Sequence, residues 1–399
     1  MNLPHAVIAG AGIGGLCTAL CLARVGWRVS LYEKAKILDE TGAGLQLSPN
    51  ASAILRRLGV LERLAPFALA PEAIRIRRAR DGATLARMPL DGAQARWGAP
   101  YLTVHRADLQ RALLEAAALE GAIRLQTGAA VVGFASTQEG VAVAIAQDAV
   151  RLKEAGDCLI GADGLRSFVR HGFFADHLRF SGRTAWRTTI EAACVPAAMR
   201  RQETNLWLGR KAHLVHYPLR GGTIVNVVAI VDEDFRPGEE DFWSSPGDPK
   251  FLEVRFAGWD KSARDLLGAA SDWRKWPLAD RDCVASFVSG RVALIGDAAH
   301  PMLPFLAQGA AQAIEDASVL GEVLGRGQNI EAGLRAYQEK RLPRVARVQK
   351  ESRRQATIYH LGGPAAFLRD AALRVLGPEK MLARYDWLYD ARDAGGREE

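Results

Sequence analysis

Two groups of residues in this sequence have spacings that suit chemistry. Gly10, Gly12 and Gly15 make a G-x-G-x-x-G pattern in "HAVIAGAGIGGLCTALCLARVGWRVSLYEKA", with Gly14 in the same turn; Glu33 follows Gly10 by 23 residues, with Lys34 next to it. A dinucleotide needs this order: a tight turn at Gly10, close backbone approach to a pyrophosphate at Gly12, helix packing at Gly15, and a carboxylate for a ribose hydroxyl. Glu33 implies a free 2′-hydroxyl, which FAD and NAD share, so the motif leaves the two open. The second group lies in "AHLVHYPL", 212–219, where strand alternation turns His213 and Tyr217 to one face and His216 to the other. A histidine titrates near neutral pH and can take a proton there.

These residues need elements to hold them. Ala6 to Ala9 read as a buried strand, Leu16, Ala19, Leu20 and Ala23 have helical spacing, and Val29 to Tyr32 give the next strand. The pattern recurs: "CLIGADG" runs a strand into Asp163, and "RVALIGD" runs one into Asp297. In an open parallel sheet the carboxyl ends of strands line the ligand crevice, so three such ends predict one shared site. A helix opening near Gly309 and Ala310 has no charge in its first turn, which leaves its amides available to an anion. Arg106 sits just before a helix predicted over about 107 to 120, where a guanidinium suits phosphate. Residues 176–274 alternate differently, in "AWRTTIEAA", "ETNLWLG" and "TIVNVVAIVD", and predict an antiparallel sheet that "EAIRIRRARDG", 72–82, joins.

Composition sets the bounds. A chain of 399 residues, 49% hydrophobic and 24% charged, suits a globular protein of two domains or one large α/β unit. No apolar run is long enough to span a membrane and no secretory signal opens the chain, so the expectation is cytoplasmic. Cys17, Cys21, Cys158, Cys194 and Cys283 lack metal-ligand or C-x-x-C spacing; buried thiols are expected, without disulfide or metal. The net charge is +7, with a basic stretch "EKRLPRVARVQKESRRQ" at 339–355; no nucleic-acid motif accompanies it, so a solvated helix face is expected. Positive charge also favours anionic cofactors and substrates.

Taken together, Gly10 to Gly15, "GADGLRSFVR" and "GDAAHPMLPFLAQGA" resemble the three signature motifs of the flavin-dependent aromatic hydroxylases with the p-hydroxybenzoate hydroxylase fold. "GAGLQLSPNA", "APYLTVHRADLQRALLEAA", "AHLVHYPL" and "KWPL" are most similar to the branch acting on 3-hydroxybenzoate, salicylate and 6-hydroxynicotinate. The resemblance selects FAD, held without a covalent bond, and implies that Asp297 meets its ribityl or pyrophosphate part. It puts the helix opening at Gly309 and Ala310 against the flavin pyrimidine, Arg106 at the diphosphate, and the main chain of Ala129 at the adenine end. It turns His213 and Tyr217 toward the hydroxyl of an aromatic ring, because electrophilic attack by oxygen held at flavin C4a, as the hydroperoxide, needs an electron-rich phenolate. Gln46 stands where hydroxynicotinate enzymes have histidine, which counts against a pyridine substrate. Pro304 matches a proline whose carbonyl lies beside the flavin, and "PFLAQG" replaces the commoner P-x-G-x-x-G, so that loop is bulkier here. Arg187 and Trp186 are candidates to hold a carboxylate and stack on the ring; the rival role for Arg187 is a cross-strand ion pair.

The expected fold is therefore α/β: a Rossmann-type FAD-binding domain with a parallel sheet and β-meander, interleaved with an antiparallel-sheet substrate domain, plus C-terminal helices. FAD-binding parts are expected at 1–71, 99–175 and 275–344, substrate-domain parts at 72–98 and 176–274, and a helical segment at 345–399 that either forms a homodimer contact or covers the sheet. The expected activity is hydroxylation of a small phenolic acid with O2 and NAD(P)H, with no membrane or nucleic-acid partner. No second glycine fingerprint exists, so NAD(P)H has no Rossmann domain of its own. The rivals are a heteroaromatic substrate, such as a hydroxynicotinate, purine or quinolone, and a non-catalytic FAD-binding protein.

Overall fold

Continuous apolar runs build the central sheet of the structure, a computed structural model that describes residues 3–38, 43–233, 244–327 and 329–391. Gly42, which opens "GAGLQLSPNA", and the end of the C-terminal segment from 392 lie outside the described residues. The sheet order is Val288–Ser289, Val292–Leu294, Cys158–Gly161, His5–Ala9, Arg28–Glu33, Ile123–Thr127. All pairs are parallel except the first. Both faces of such a sheet are covered, and every residue of His5–Ala9 is buried. Ala9 lies opposite Gly161, and Gly161 opposite Leu294, so the turns that follow these three strands converge on one crevice.

A three-stranded antiparallel meander, Ala129–Ser136, Val141–Gln147 and Val150–Gly156, flanks this sheet. The second large sheet has eight strands, in the order Ser245–Gly247, Trp273–Asp280, Arg179–Glu191, Ile224–Asp232, Ala212–Leu219, Glu203–Gly209, Ala73–Arg78, Thr84–Pro89. The stretch at 72–82 does join it, yet the sheet is mixed rather than purely antiparallel: Ala73–Arg78 pairs parallel with Glu203–Gly209, a long-range match that alternation alone cannot orient. The strand Trp273–Asp280 runs through the 274/275 boundary and pairs with Arg179–Glu191. Likewise 344/345 falls inside one helix, Ile330–Tyr359.

That long helix also corrects the reading of the basic stretch. Arg341 is buried and bonds Asp316 at 2.7 Å and Glu315; Arg344 bonds Glu315 at 2.5 Å; Arg353 bonds Asp280 at 2.6 Å. These arginines are inward counter-ions for buried carboxylates, so this part of the helix is not a solvated face. The following helix, Gly363–Ala383, packs against Thr84–Pro89. Cys17, Cys21 and Cys158 are buried as expected, but Cys194 and Cys283 are exposed, since each sits in a short connection outside the core.

Candidate active site

Steric contacts separate the glycines into two groups. Gly10 has φ +101°, and a Cβ there would stand 2.5 Å from the carbonyl oxygen of Ala162; a Cβ on Gly15 would stand 1.9 Å from the carbonyl oxygen of Gly10. The polypeptide itself therefore requires these two. A Cβ on Gly12 would meet no protein atom within 4 Å, and the same holds for Gly164 and Gly309. All three line one cleft of about 420 Å³. Glycine at Gly12 leaves a cradle in front of the helix Ile13–Arg24, whose N-terminus has no side-chain cap and no acid in its first turn. Such a cradle fits a pyrophosphate. Gly14 lines the cleft too, but its virtual Cβ would lie 3.2 Å from Ala313 Cβ in the helix Gly309–Gly325.

Glu33 lies at the edge of this cradle. One carboxylate oxygen accepts from the Ala11 amide at 2.9 Å and the other from the Ala35 amide at 2.8 Å, which fixes the carboxylate and leaves lone pairs for a hydroxyl. Lys34 is exposed, away from the cleft lining. Asp163 is directed elsewhere: it accepts from Ser167 Oγ at 2.5 Å and the Val169 amide at 3.1 Å, capping the short helix Phe168–His171, while Ala162 and Gly164 line the cleft. Ala129 is buried at the start of the meander, off the lining. Arg106 opens the helix Arg106–Ala118 and lines the cleft, its amide anchored to the Ala43 carbonyl at 3.0 Å.

The helix Gly309–Gly325 opens on the same cleft with no side-chain cap and no acid in its first turn. Its N-cap residue could have capped it, but the Gln308 side chain is held away, donating to Ser48 Oγ at 2.8 Å and accepting from Asn50 Nδ2 at 3.2 Å. Two turns later Asp316 accepts from the Gly296 amide at 2.8 Å and lies 2.7 Å from His300 Nε2, which pins the loop carrying Asp297. Asp297 projects into the cleft and is accessible there, although protein encloses the cleft; burial raises its pKa, with His300 and Arg106 pulling it down. Pro304 and Ala307 form the adjoining wall, with the Pro304 carbonyl accepting from the Ala307 amide at 3.0 Å. Ala307 has φ 53°, a left-handed conformation that costs a non-glycine residue energy.

The large sheet supplies the other wall. His213, Val215 and Tyr217 line the cleft and His216 does not, as alternation requires. His216 instead receives a hydrogen bond from Trp207 on the far side. Gln46 lines the cleft and accepts from Tyr101 Oη at 2.6 Å. Tyr217 is buried beside Arg187, and burial pushes its hydroxyl pKa up, so it stays protonated.

Two expectations need correction here. Trp186 cannot stack on a ring in the cleft, because it points opposite to Arg187 and stacks on Phe251 in the outer core, centroids 5.1 Å apart. His213 does not titrate near neutrality: burial, then His360 and Arg183, hold its pKa well below the usual value. It is a neutral imidazole at pH 7.

Among the described residues Arg187 has no cross-strand ion pair, since its strand partners are Val228 and Arg274. Its guanidinium lies over the Trp276 ring at 5.4 Å, its Nε is buried with no hydrogen-bond partner among the described residues, and burial lowers its pKa. A cation in that setting suits an anionic ligand. Residues that sequence reasoning missed complete the chamber: Tyr101, Tyr359, Tyr385 and Tyr389 line it, and His360 bonds His213 from behind. Tyr101 stood in a quoted motif without an assigned role; the other four come from the C-terminal helices, where no local pattern marks them.

Comparison with known proteins gives a consistent result. The FAD binding domain family matches residues 5–352. The chain is 40% identical to a 3-amino-4-hydroxybenzoate 2-monooxygenase of Streptomyces platensis, over 99% of this chain and 98% of that one. It is 35% identical to a 3-hydroxybenzoate 6-hydroxylase of Polaromonas naphthalenivorans, over 96% and 95%. Among solved structures it is similar to Klebsiella pneumoniae HpxO complexed with FAD and uric acid, with TM-score 0.85, 26% identity and coverage of 98% and 97%. A salicylate hydroxylase substrate complex gives TM-score 0.82 and 28% identity over 99% and 98%.

Proposed function

We propose, for a chain that belongs to the FAD binding domain family and is a FAD-dependent aromatic-ring monooxygenase, a substrate bearing a phenolic hydroxyl and a carboxylate on one small ring. The observation that carries this is Arg187: an enclosed guanidinium with no carboxylate across its strand, in the same chamber as His213 and Tyr217. Arg187 would hold the ring carboxylate. Tyr217, kept protonated, would donate to the ring oxygen, and neutral His213 would accept its proton, so that the ring becomes electron-rich. Gln46, tied to Tyr101, and Pro304 would shape the chamber's ends.

Gly12, the uncapped helix Ile13–Arg24, Glu33, Arg106, Asp297, Gly309 and Ala310 would hold FAD, with Gly10, Gly14 and Gly15 shaping the turn. Asp163 would act through the turn it caps, Ala129 through its main chain, and Lys34 at the periphery. Bound FAD supplies hydride acceptance from NAD(P)H and activation of O2. The exposed amides at Gly309 and Ala310 would favour an anionic flavin over a neutral one. Dependence on NAD(P)H fits a cytoplasmic setting. A homodimer through the helix Gly363–Ala383, whose Leu368 and Val375 stand exposed one heptad apart, belongs to the same reading.

The test is aerobic NADH and NADPH consumption with a panel of hydroxybenzoates, aminohydroxybenzoates, hydroxynicotinates and urate, with product masses. Stimulation by a phenolic acid and gain of one oxygen, with or without loss of CO2, is expected. Turnover confined to urate or another ring without a carboxylate would contradict the reading.

A further inference from the structure

His213 is tied into a chain of hydrogen bonds that leads out of the chamber. Its Nδ1 lies 2.8 Å from His360 Nε2, and His360 Nδ1 lies 2.5 Å from Asp232 Oδ1. Exposure rises along the chain. His213 is 2% exposed, and the side chains of His360 and Asp232 are 3% and 30% exposed. Asp232 lines a separate cavity of about 300 Å³ with Ser181, Gly182, Arg183, Lys211 and Glu233. We propose that His213, His360 and Asp232 form a proton wire, which carries the phenolic proton of the bound substrate to this outer cavity. The proposal rests on the phenolic-acid reading above.

The chemistry of the donors and acceptors sets its direction. A carboxylate only accepts, so His360 must hold its proton on Nδ1 and offer the lone pair of Nε2 to His213. His213 then holds its own proton on Nδ1, and its Nε2, which no described residue bonds, presents a lone pair. That tautomer is the one a phenol can donate to. Arg183 Nε lies 3.1 Å from Asp232 Oδ1 and 3.3 Å from His360 Nδ1; the shorter contact goes to the carboxylate, which fixes it without displacing the His360 bond.

In the transfer the phenol O–H bond breaks and His213 gains a proton on Nε2. The Nδ1 proton of His213 passes to His360 Nε2, the Nδ1 proton of His360 passes to Asp232, and Asp232 releases one proton to solvent. No ring stores the charge. Reprotonation of the ring oxygen by the reverse route, before product leaves, restores the starting tautomers.

The surroundings favour passage over storage. Arg183 faces the chain from the strand Arg179–Glu191, Lys211 from the turn before Ala212–Leu219, and Arg255 from the helix Pro249–Arg255; Glu233 follows Asp232. Phe305 and Tyr359 wall His213, with ring centroids 5.3 Å away, and burial keeps the Tyr359 hydroxyl protonated. Burial lowers the pKa of both histidines, while Asp232 lies below its ordinary value through its bond to His360 in spite of its own burial. No member therefore retains the transferred proton at neutral pH.

The experiment uses the FAD-loaded full chain, mixed with a stimulating phenolic acid in weak buffer containing a pH indicator. His360→Gln and Asp232→Asn are compared with wild type, with FAD content as the check on folding. Wild type should release one proton per bound acid. His360→Gln should slow that release by about 100-fold, the range for loss of a positioned proton carrier, and Asp232→Asn should slow it too. The affinity for the methyl ether of the same acid, which has no proton to lose, should stay unchanged. Before the acid is added, nitrogen-15 NMR of the FAD-loaded chain should find His213 and His360 protonated on Nδ1. Equal release rates in wild type and both variants, or His213 protonated on Nε2, would overturn the wire alone. A wild type that releases no proton with any phenolic acid would overturn the functional reading and the wire together.

Discussion

Replacing Arg187 by Gln separates a role in binding from a role in folding. The side chain stands in the wall of the main cleft with an orphaned Nε, stacked on Trp276, opposite no carboxylate on either neighbouring strand. A charge-assisted hydrogen bond contributes about 1.5 to 3 kcal/mol, and removing one partner of a buried pair costs about 2 to 5 kcal/mol. At about 1.4 kcal/mol per decade, a loss of about 2 to 5 kcal/mol means that affinity for a phenolic acid should fall roughly 30- to 4,000-fold. The same phenol without its carboxylate should bind weakly to both proteins and lose almost nothing. Stability should respond oppositely. Burial already lowers the pKa of Arg187, so the empty protein bears an uncompensated cation, and Arg187→Gln should leave thermal stability unchanged or raised. Titration of the bound flavin spectrum with each ligand gives the affinities, and thermal denaturation gives the stability. Equal weakening for both ligands, or a lower melting temperature, would refute the argument and make Arg187 a structural cation.

Three other perturbations test separate parts of the site. Gly12→Ala adds a Cβ that meets no protein atom, so it should lower FAD retention without changing the stability of the FAD-free chain, whereas Gly15→Ala, 1.9 Å from the Gly10 carbonyl oxygen, should destabilise the fold itself; urea unfolding with and without FAD checks both. Ala310→Glu puts an acid in the bare first turn; a helix terminus is worth about 0.3 to 2 kcal/mol to a charge, so the flavin potential should drop by roughly 10 to 40 mV in a redox titration, and no change would count against the bare-helix argument. Asp316 has its pKa lowered from 3.8 to about 2, with burial opposing the shift and His300 and Arg341 producing it. Because the folded value is the lower one, its contribution of about 2 to 3 kcal/mol is present above pH ~4 and lost as pH falls toward 2, so the stability gap between wild type and Asp316→Asn should narrow over that window in urea unfolding.

The parts legible in the sequence were those that local spacing encodes. The turn at Gly10, the helix that leaves Gly309 and Ala310 uncapped, and the shared face of His213 and Tyr217 each follow from a period or a steric need within a few residues. What escaped depends on contacts between distant segments. His360 meets His213 across 147 residues, and nothing in "TIYHLGG" marks its partner. Arg341 and Arg344 look like surface charge until the carboxylates of Glu315 and Asp316 are found against them. Trp186 failed for a local reason that was available: two neighbours on one strand cannot face the same chamber, so choosing Arg187 excluded it. Burial likewise turned His213 from a group titrating near neutrality into a neutral one, and density around a side chain is not written in its own stretch of sequence.

The most direct test of the central claim, that one cleft holds FAD and a phenolic acid together, is anaerobic stopped-flow reduction of the FAD-loaded chain by NADH or NADPH. Reduction in the presence of the right phenolic acid should be clearly faster than without it, with the flavin spectrum already perturbed on binding. A chain that retains no FAD, or one reduced at the same rate with every phenolic acid, would contradict the account.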